Sequence, residues 1–233
     1  MKKIFTALCL ALGCFAGATA QNVQLHYDFA SSLHDDLKDR PELRTTVEME
    51  RFDKWGNTYL SVDMTYDNDQ MQFSYFEISR DLKFWDGPFA IHAEYNGGMK
   101  NISDAWLGGL TYTSGNLDGT RGYSVSALYK HICHHDHPHN FQLTGKWYLY
   151  MLKGVLSFTG YADLWHENHK DKKGKEHDFI FLAEPQFWVN LHKMDVFDED
   201  FRLSIGTECQ ITSYIGNTTG WYVNPTLAVK WSF

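Results

Sequence analysis

The residues from Trp221 to Phe233 alternate without a break between apolar and polar side chains. Successive side chains on a β-strand point to opposite faces, so this segment forms a strand with one apolar and one polar face. A strand of this kind, ending on an aromatic residue in an exported chain, is typical of the last strand of a bacterial outer-membrane barrel. The apolar face carries Trp221, Val223, Pro225, Leu227, Val229, Trp231 and Phe233.

The first twenty residues read as a secretory signal peptide. Lys2 and Lys3 precede an apolar run over 4–16, and Ala18-Thr19-Ala20 forms a small-x-small cleavage site. Cleavage there would leave Gln21 as the new N-terminus. We therefore predict a signal peptide over 1–20 and a single domain, an outer-membrane β-barrel, over 21–233.

Charge and hydropathy limit the partners of the mature chain. Without the two signal-peptide lysines, 19 basic residues stand against 29 acidic ones, a net charge of −10. That balance disfavours nucleic acid and anionic lipid headgroups as partners. No run after Ala20 approaches the roughly 20 apolar residues of a spanning helix, so a membrane crossing would require a closed sheet. The pairing of Cys133 and Cys209 stays open.

Alternating segments separated by turn signals recur along the whole mature chain, with no break in composition. Their number predicts an all-β fold, a single antiparallel up-and-down transmembrane β-barrel of about twelve strands. The predicted strands are Val23–Phe29, Leu43–Phe52, Thr58–Tyr66, Met71–Phe84, Phe89–Asn96, Asp104–Thr113, Gly122–Ile132, Phe141–Leu152, Val155–His166, His177–Leu191, Phe201–Thr212 and Gly220–Phe233.

Two residues do not fit this pattern. Pro185 lies in the middle of a predicted strand and cannot donate to the ladder of hydrogen bonds, which predicts a β-bulge. Arg80 shares its face with the apolar Ile78 and Leu82, so either its side chain snorkels or the register there is different.

The alternation places most charged side chains on one face, which we assign to the lumen. This lining predicts a narrow, acid-rich, water-filled pore that disfavours anions. The alternative, a barrel filled by its own ion pairs, stays open. The inward acids are Asp28, Glu48, Glu50, Asp63, Glu77, Asp81, Glu94, Asp163, Glu184 and Glu208, against the bases Lys130, Lys146, Arg202 and Lys230.

Aromatic and ionisable side chains on the inner face are the candidate solute-binding residues. Aromatic rings can stack flat polar solutes such as bases or sugars, and carboxylates can bind their polar groups. No cofactor is predicted. The candidates are Glu77, Asp81, Glu94, Lys146, Tyr148, Tyr161, Asp163, Trp165, Glu184, Trp188 and Lys230.

An outer loop rich in histidine is the densest set of potential metal ligands. His134, His135 and His137 are the candidates for binding a divalent metal, since imidazole is a common ligand of zinc, copper and nickel. The alternative is an ordinary solvated loop, because the spacing is not that of a structural zinc site. No local motif marks a serine nucleophile, and we predict that the chain is not an enzyme.

Several stretches together resemble an uncharacterised family of outer-membrane proteins that is similar to the nucleoside-specific (Tsx-type) channels. The resemblance implies a monomeric barrel of about twelve strands with a narrow pore, in which lumen aromatics hold bases and ionisable groups hold sugars. No short motif transfers individual residues. The stretches are Glu77–Trp85, Phe89–Gly98, Phe141–Trp147, Glu184–Trp188 and Asn224–Phe233.

The sequence thus predicts a passive channel of the outer membrane for small polar solutes, with nucleosides the leading candidates. Its predicted partners are membrane lipid and a small polar solute, with no nucleic acid, and the chain is predicted to be a monomer. The runner-up is a filled structural or binding barrel whose histidine-rich outer loops bind divalent metal. A soluble ligand-binding barrel is the third possibility.

Overall fold

The computed structural model describes residues 20–67, 70–99 and 102–233. In these residues thirteen β-strands form one antiparallel sheet, which closes on itself because the first strand pairs with the last. Most of the predicted signal peptide, residues 1–19, lies outside the described residues. The strands are β1 (Ala20–Asp28), β2 (Leu43–Asp53), β3 (Gly56–Asp67), β4 (Gln70–Leu82), β5 (Phe89–Gly98), β6 (Ala105–Gly115), β7 (Arg121–Ile132), β8 (His139–Met151), β9 (Leu156–Lys170), β10 (Glu176–Ala183), β11 (Gln186–Asn190), β12 (Leu203–Ser213) and β13 (Trp221–Ser232).

Helical structure is confined to the connections. The single α-helix of the described residues, α1 (Ala30–Leu33), has one turn and follows β1. Short 3₁₀ turns cover Asp35–Leu37, Leu152–Gly154, Leu191–Lys193 and Ile215–Asn217. Within the described residues, no helix combines the length and the apolar composition needed to cross a membrane.

The strands β10 and β11 are two halves of one strand position in the barrel. Both pair with β9 on one side and with β12 on the other, so the closed barrel has twelve positions. The predicted twelve-stranded antiparallel barrel is therefore confirmed. Since the number of positions is even, the beginning of β1 and the end of β13 lie at the same end of the barrel. Short periplasmic turns are typical of such barrels, so we call this end periplasmic and the other end the outer end.

The predicted bulge at Pro185 is wrong. Ala183 pairs with Ala162 and Gln186 with Thr159, so the register on the β9 side is the same before and after the proline. Proline lacks only the donor, and its carbonyl oxygen still accepts a 3.0 Å hydrogen bond from the backbone of Cys209. The strand is thus interrupted at the proline, but its pairing register with β9 does not shift.

The two faces of the strands divide as the alternation predicts. On β13, Trp221, Val223 and Leu227 are exposed, whereas Asn224 and Thr226 are buried. The apolar side chains therefore form the outside of the barrel, and the polar ones fill its inside. Arg80 snorkels, since its guanidinium extends along the outer surface to Asp53 and Thr58 near the periplasmic end, with both contacts at 2.7 Å.

Replacing Leu143 with arginine tests this outer face. Leu143 is exposed on the outside of β8, away from both strand ends. A charge on the lipid face at mid-membrane costs about 2–4 kcal/mol, against about 0–1 kcal/mol near an interface. We expect urea unfolding from lipid vesicles to show the larger loss for Leu143→Arg and the smaller one for Tyr123→Arg, at the periplasmic end of β7. Small losses of stability that are equal for the two variants would mean that Leu143 does not face the middle of the membrane.

Candidate functional site

A buried ion cluster joins three sides of the lumen on the outer half of the barrel. Arg44 on β2 donates to a carboxylate oxygen of Glu208 on β12, and its Nη1 lies 3.8 Å from Oε1 of Glu184. Gln186 donates to the other oxygen of Glu208 over 2.8 Å. All three charged side chains are buried. The sequence analysis missed Arg44, although it shares its face of β2 with the predicted inward Glu48.

Lys146 reaches across the lumen from β8. Its Nζ lies 3.6 Å from a carboxylate oxygen of Glu77 on β4 and 4.5 Å from the ring centroid of Tyr59 on β3. The side chain of Lys146 is nevertheless 39% exposed, and that of Glu77 is 18% exposed. Lys146 therefore keeps exposed surface at the point where its side chain narrows the lumen.

His92 lies between two carboxylates on the wall formed by β4 and β5. Its Nδ1 is 2.8 Å from Asp81 and its Nε2 is 3.1 Å from Glu94. A neutral imidazole can donate from one nitrogen alone, so two ionised carboxylates here require the doubly protonated ring. In that form His92, which was not among the candidate residues of the sequence analysis, would partly neutralise the predicted acids Asp81 and Glu94.

Lysines cover the two candidate tryptophans. The ammonium group of Lys130 lies 4.4 Å from the ring centroid of Trp165, and that of Lys230 lies 4.1 Å from the ring of Trp188. Trp188 is fully buried. A cation thus already occupies one face of each ring, and solute binding by Trp165 and Trp188 stays a prediction.

The remaining candidates lie on β8 and β9. Thr144 donates to Asp163 over 2.5 Å, and Tyr161 is the cross-strand neighbour of Lys146. Tyr148 lies near the periplasmic end of β8, and its ring centroid is 5.5 Å from that of the exposed Tyr150. The structure thus brings Glu77 and Lys146 into contact, with Tyr161 beside Lys146 on the neighbouring strand and Tyr148 near the periplasmic opening.

Packing inside the barrel is uneven. Towards the outer end of β6 and β7, four inward apolar side chains form a buried cluster that the sequence analysis did not predict. On the opposite wall, Gln24 and His26 of β1 are fully buried. Exposed charged groups lie instead on β4 and β8, where Asp81 is 30% exposed. The cluster consists of Ala105, Leu107, Leu128 and Ile132.

The histidine-rich loop does not assemble a metal centre. Among the described residues, no three His, Cys, Asp or Glu side chains converge closely enough to hold a metal ion. In this loop, Nδ1 of His135 lies 3.1 Å from the backbone nitrogen of His137. Metal binding by His134, His135 and His137 stays a prediction. Cys133 and Cys209 are both free thiols.

Three of the solved structures with a similar barrel are structures of porins. The NanC porin matches with a TM-score of 0.58 at 9% identity, over 91% of this chain and 98% of that one. The KdgM porin matches with a TM-score of 0.50 at 10% identity, over 92% and 99%. KdgM in complex with disordered oligogalacturonate gives a TM-score of 0.51 at 10% identity, again over 92% and 99%. Among curated proteins, no match is found.

These likenesses identify the fold as that of outer-membrane porins, and the predicted location in the outer membrane agrees with it. The prediction that the chain is not an enzyme is consistent with this fold and stays a prediction. A family model described as a domain of unknown function, DUF5020, matches residues 20–233. That match runs from the first strand of the barrel to the end of the last, and the chain therefore belongs to the DUF5020 family.

Proposed function

We propose that this protein is a passive outer-membrane channel for small polar solutes that are neutral or cationic, with nucleosides the leading candidates. The observation that carries the proposal is the partly exposed contact between Lys146 and Glu77. A charged side chain that spans the lumen and stays 39% exposed indicates that water reaches this constriction. A completely filled barrel would bury this lysine.

The charge of the lining supports a preference for cations. Ten inward carboxylates face four lysine and arginine residues of the strands, namely Arg44, Lys130, Lys146 and Lys230, with His92 and the loop residue Arg40 as further cations. Arg202, which the sequence analysis placed inward, precedes β12 and is exposed. An acidic lining raises the barrier to anions more than to neutral or cationic solutes. The KdgM porin was solved with oligogalacturonate, an acidic polymer. The lining described here makes such polyanions poor solutes for this chain.

Nucleosides fit the chemistry of the region around Glu77 and Lys146. Tyr148, Tyr150 and Tyr161 supply flat aromatic faces, and Glu77 supplies acceptors for ribose hydroxyl groups. Such sites are spaced along the wall from β4 to β9, which suits passage because each can hold a solute weakly and release it. The similarity to Tsx-type channels noted in the sequence favours the same solute class.

Planar-bilayer recording tests the proposed channel. We expect a measurable conductance with a higher permeability for K⁺ than for Cl⁻, and a partial block by adenosine. The double variant Glu77→Gln/Asp81→Asn removes two lumen charges and is expected to lower the cation preference by about fivefold, equivalent to about 1 kcal/mol of screened interaction.

The matched control is Asp53→Asn. Asp53 lies near the same end of the barrel as Asp81, but it binds Arg80 on the outer surface. This variant is expected to keep the wild-type selectivity. A folded wild-type barrel without conductance, or with an anion preference, would refute the channel. A conductance that no nucleoside blocks would refute the assignment of nucleosides as the solute and would leave the channel itself standing.

A further inference from the structure

The connection between β1 and β2, residues 29–42, folds over the outer end of the barrel. Asp36 accepts a hydrogen bond from the hydroxyl of Tyr222, and this contact lowers the pKa of the Asp36 carboxyl. The ring of His34 packs edge-on against Tyr222 at 5.1 Å between centroids. Lys172, from the β9–β10 connection, donates to the backbone of Asp36 over 3.3 Å. The connection is thereby fixed above the entrance.

From this connection Arg40 inserts its guanidinium into the lumen. Nε donates to Oδ2 of Asp28 over 3.0 Å, and Nη2 donates to the side-chain oxygen of Gln210 over 2.8 Å. The other oxygen of Asp28 accepts from the backbone of Ala30 over 2.8 Å. Asp28 is thus held in place independently of Arg40, with one oxygen left to face a cation.

Asn224 lies on β13, the strand between Gln210 of β12 and Asp28 of β1. It is the cross-strand neighbour of Gln210 on β12 and points inward. The side chain is almost fully buried, yet neither its amide nitrogen nor its amide oxygen has a hydrogen-bond partner. Buried amides are nearly always satisfied, so an unpaired one at this place indicates a polar position that a ligand or water completes.

We infer that Asp28, Gln210 and Asn224 form a subsite for guanidinium groups at the outer entrance, which Arg40 occupies as a displaceable internal ligand. The side chain of Arg40 is 28% exposed, while its partner Asp28 is only 4% exposed. A solute can therefore reach the bound guanidinium from outside, whereas the carboxylate is reached only by a group that takes the place of Arg40. Displacement of Arg40 would open the entrance.

The chemistry selects guanidinium over other groups. Asp28 requires a positive partner because it is buried, and a planar group with several N–H donors can bridge the carboxylate and the Gln210 oxygen together. Asn224 adds an acceptor that Arg40 does not use. The consequence for transport rests on the proposed channel function, but the binding itself does not.

Isothermal titration of the full-length protein in detergent tests the subsite with L-arginine amide as the probe. An internal ligand weakens the apparent affinity for an added ligand, because the added ligand can bind only during the fraction of time that the site is free. If Arg40 is bound about nine-tenths of the time, Arg40→Ala is expected to bind the probe about tenfold more tightly than wild type. Adding Asp28→Asn to this variant is expected to abolish the gain.

Three controls keep the result specific. L-citrulline amide has the same shape with a neutral urea and is expected to show no gain. Lys38→Ala removes a neighbouring cation that pairs with the exposed Asp35, and is expected to bind like wild type. Arg40→Gln, with the folded state checked by heat-modifiable migration on gels, replaces Arg40→Ala if the alanine variant fails to fold.

Equal affinity of wild type and both Arg40 variants for L-arginine amide would overturn the subsite, as would an equal gain for L-citrulline amide. These outcomes are separate from those of the channel experiment. A barrel that does not conduct but shows the tenfold gain keeps the subsite and loses the channel. A barrel that conducts but shows no gain in affinity keeps the channel and loses the subsite.

Discussion

Arg44→Ala is expected to destabilise the barrel by about 3–5 kcal/mol, because it leaves buried carboxylates without their cation. Arg44 is the cation in contact with both Glu208 and Glu184, and none of the three side chains is more than about a tenth exposed. We expect urea unfolding in lipid vesicles to show this loss.

The comparison with a second arginine separates burial from pairing alone. Arg80 pairs with Asp53 at 2.7 Å on the outer surface, where both side chains are partly exposed. Arg80→Ala is expected to cost no more than about 1 kcal/mol. The double variant Arg44→Ala/Glu208→Ala should recover part of the loss, because one uncompensated charge is gone. A loss below 1 kcal/mol for Arg44→Ala would mean that the cluster does not stabilise the barrel.

Gly160→Val is expected to destabilise the barrel by about 2–5 kcal/mol through positive-φ strain and overpacking. Gly160 on β9 faces the break between β10 and β11 and has a φ of 154°. A Cβ there would lie 2.6 Å from the carbonyl oxygen of Glu184 and 2.9 Å from the ring of Trp147. Thermal unfolding followed by gel migration measures the loss.

Gly145→Val is the matched control on the neighbouring strand. A Cβ at Gly145 would approach nothing closer than the carbonyl oxygen of Ala162, at 4.0 Å. This variant is expected to unfold within a few degrees of wild type. If both valine variants behave alike, the close approach at the break is not what requires glycine.

The alternation of side chains was sufficient to predict the barrel, its twelve positions and its two faces. A period of two residues is a local property, and it holds along β13 from Trp221 to Ser232 without interruption. It also explains why Arg80 could be recognised as an exception. The sequence was therefore sufficient to predict which face of the sheet Glu77, Lys146 and Glu184 occupy, and each of them points into the lumen.

The contacts between inward residues could not be predicted in the same way. Lys146 on β8 contacts Tyr59 on β3, and Arg44 on β2 contacts Glu208 on β12. Such pairs depend on which positions face each other when the sheet curves and closes, and no local pattern encodes this. The lysines that lie over Trp165 and Trp188 come from other strands and were likewise not predictable from the alternation.

The error at Pro185 has a different physical cause. A missing donor suggested a local distortion, but only one hydrogen bond is lost and the pairing with β9 continues on both sides of the proline. Glu184 still donates from its backbone to Tyr161 over 2.9 Å, directly before the proline. The ladder thus resumes in the same register.

The uneven filling of the lumen has a consequence for mutational scanning. Lys146 on β8 and Asp81 on β4 keep exposed surface, while Gln24, His26 and Trp188 on the wall of β1 and β11 are fully buried. In the proposed channel, the permeation path is therefore expected to be eccentric and to follow one side of the cylinder. Substitutions along that side should alter current with little change in melting temperature, and those opposite should do the converse.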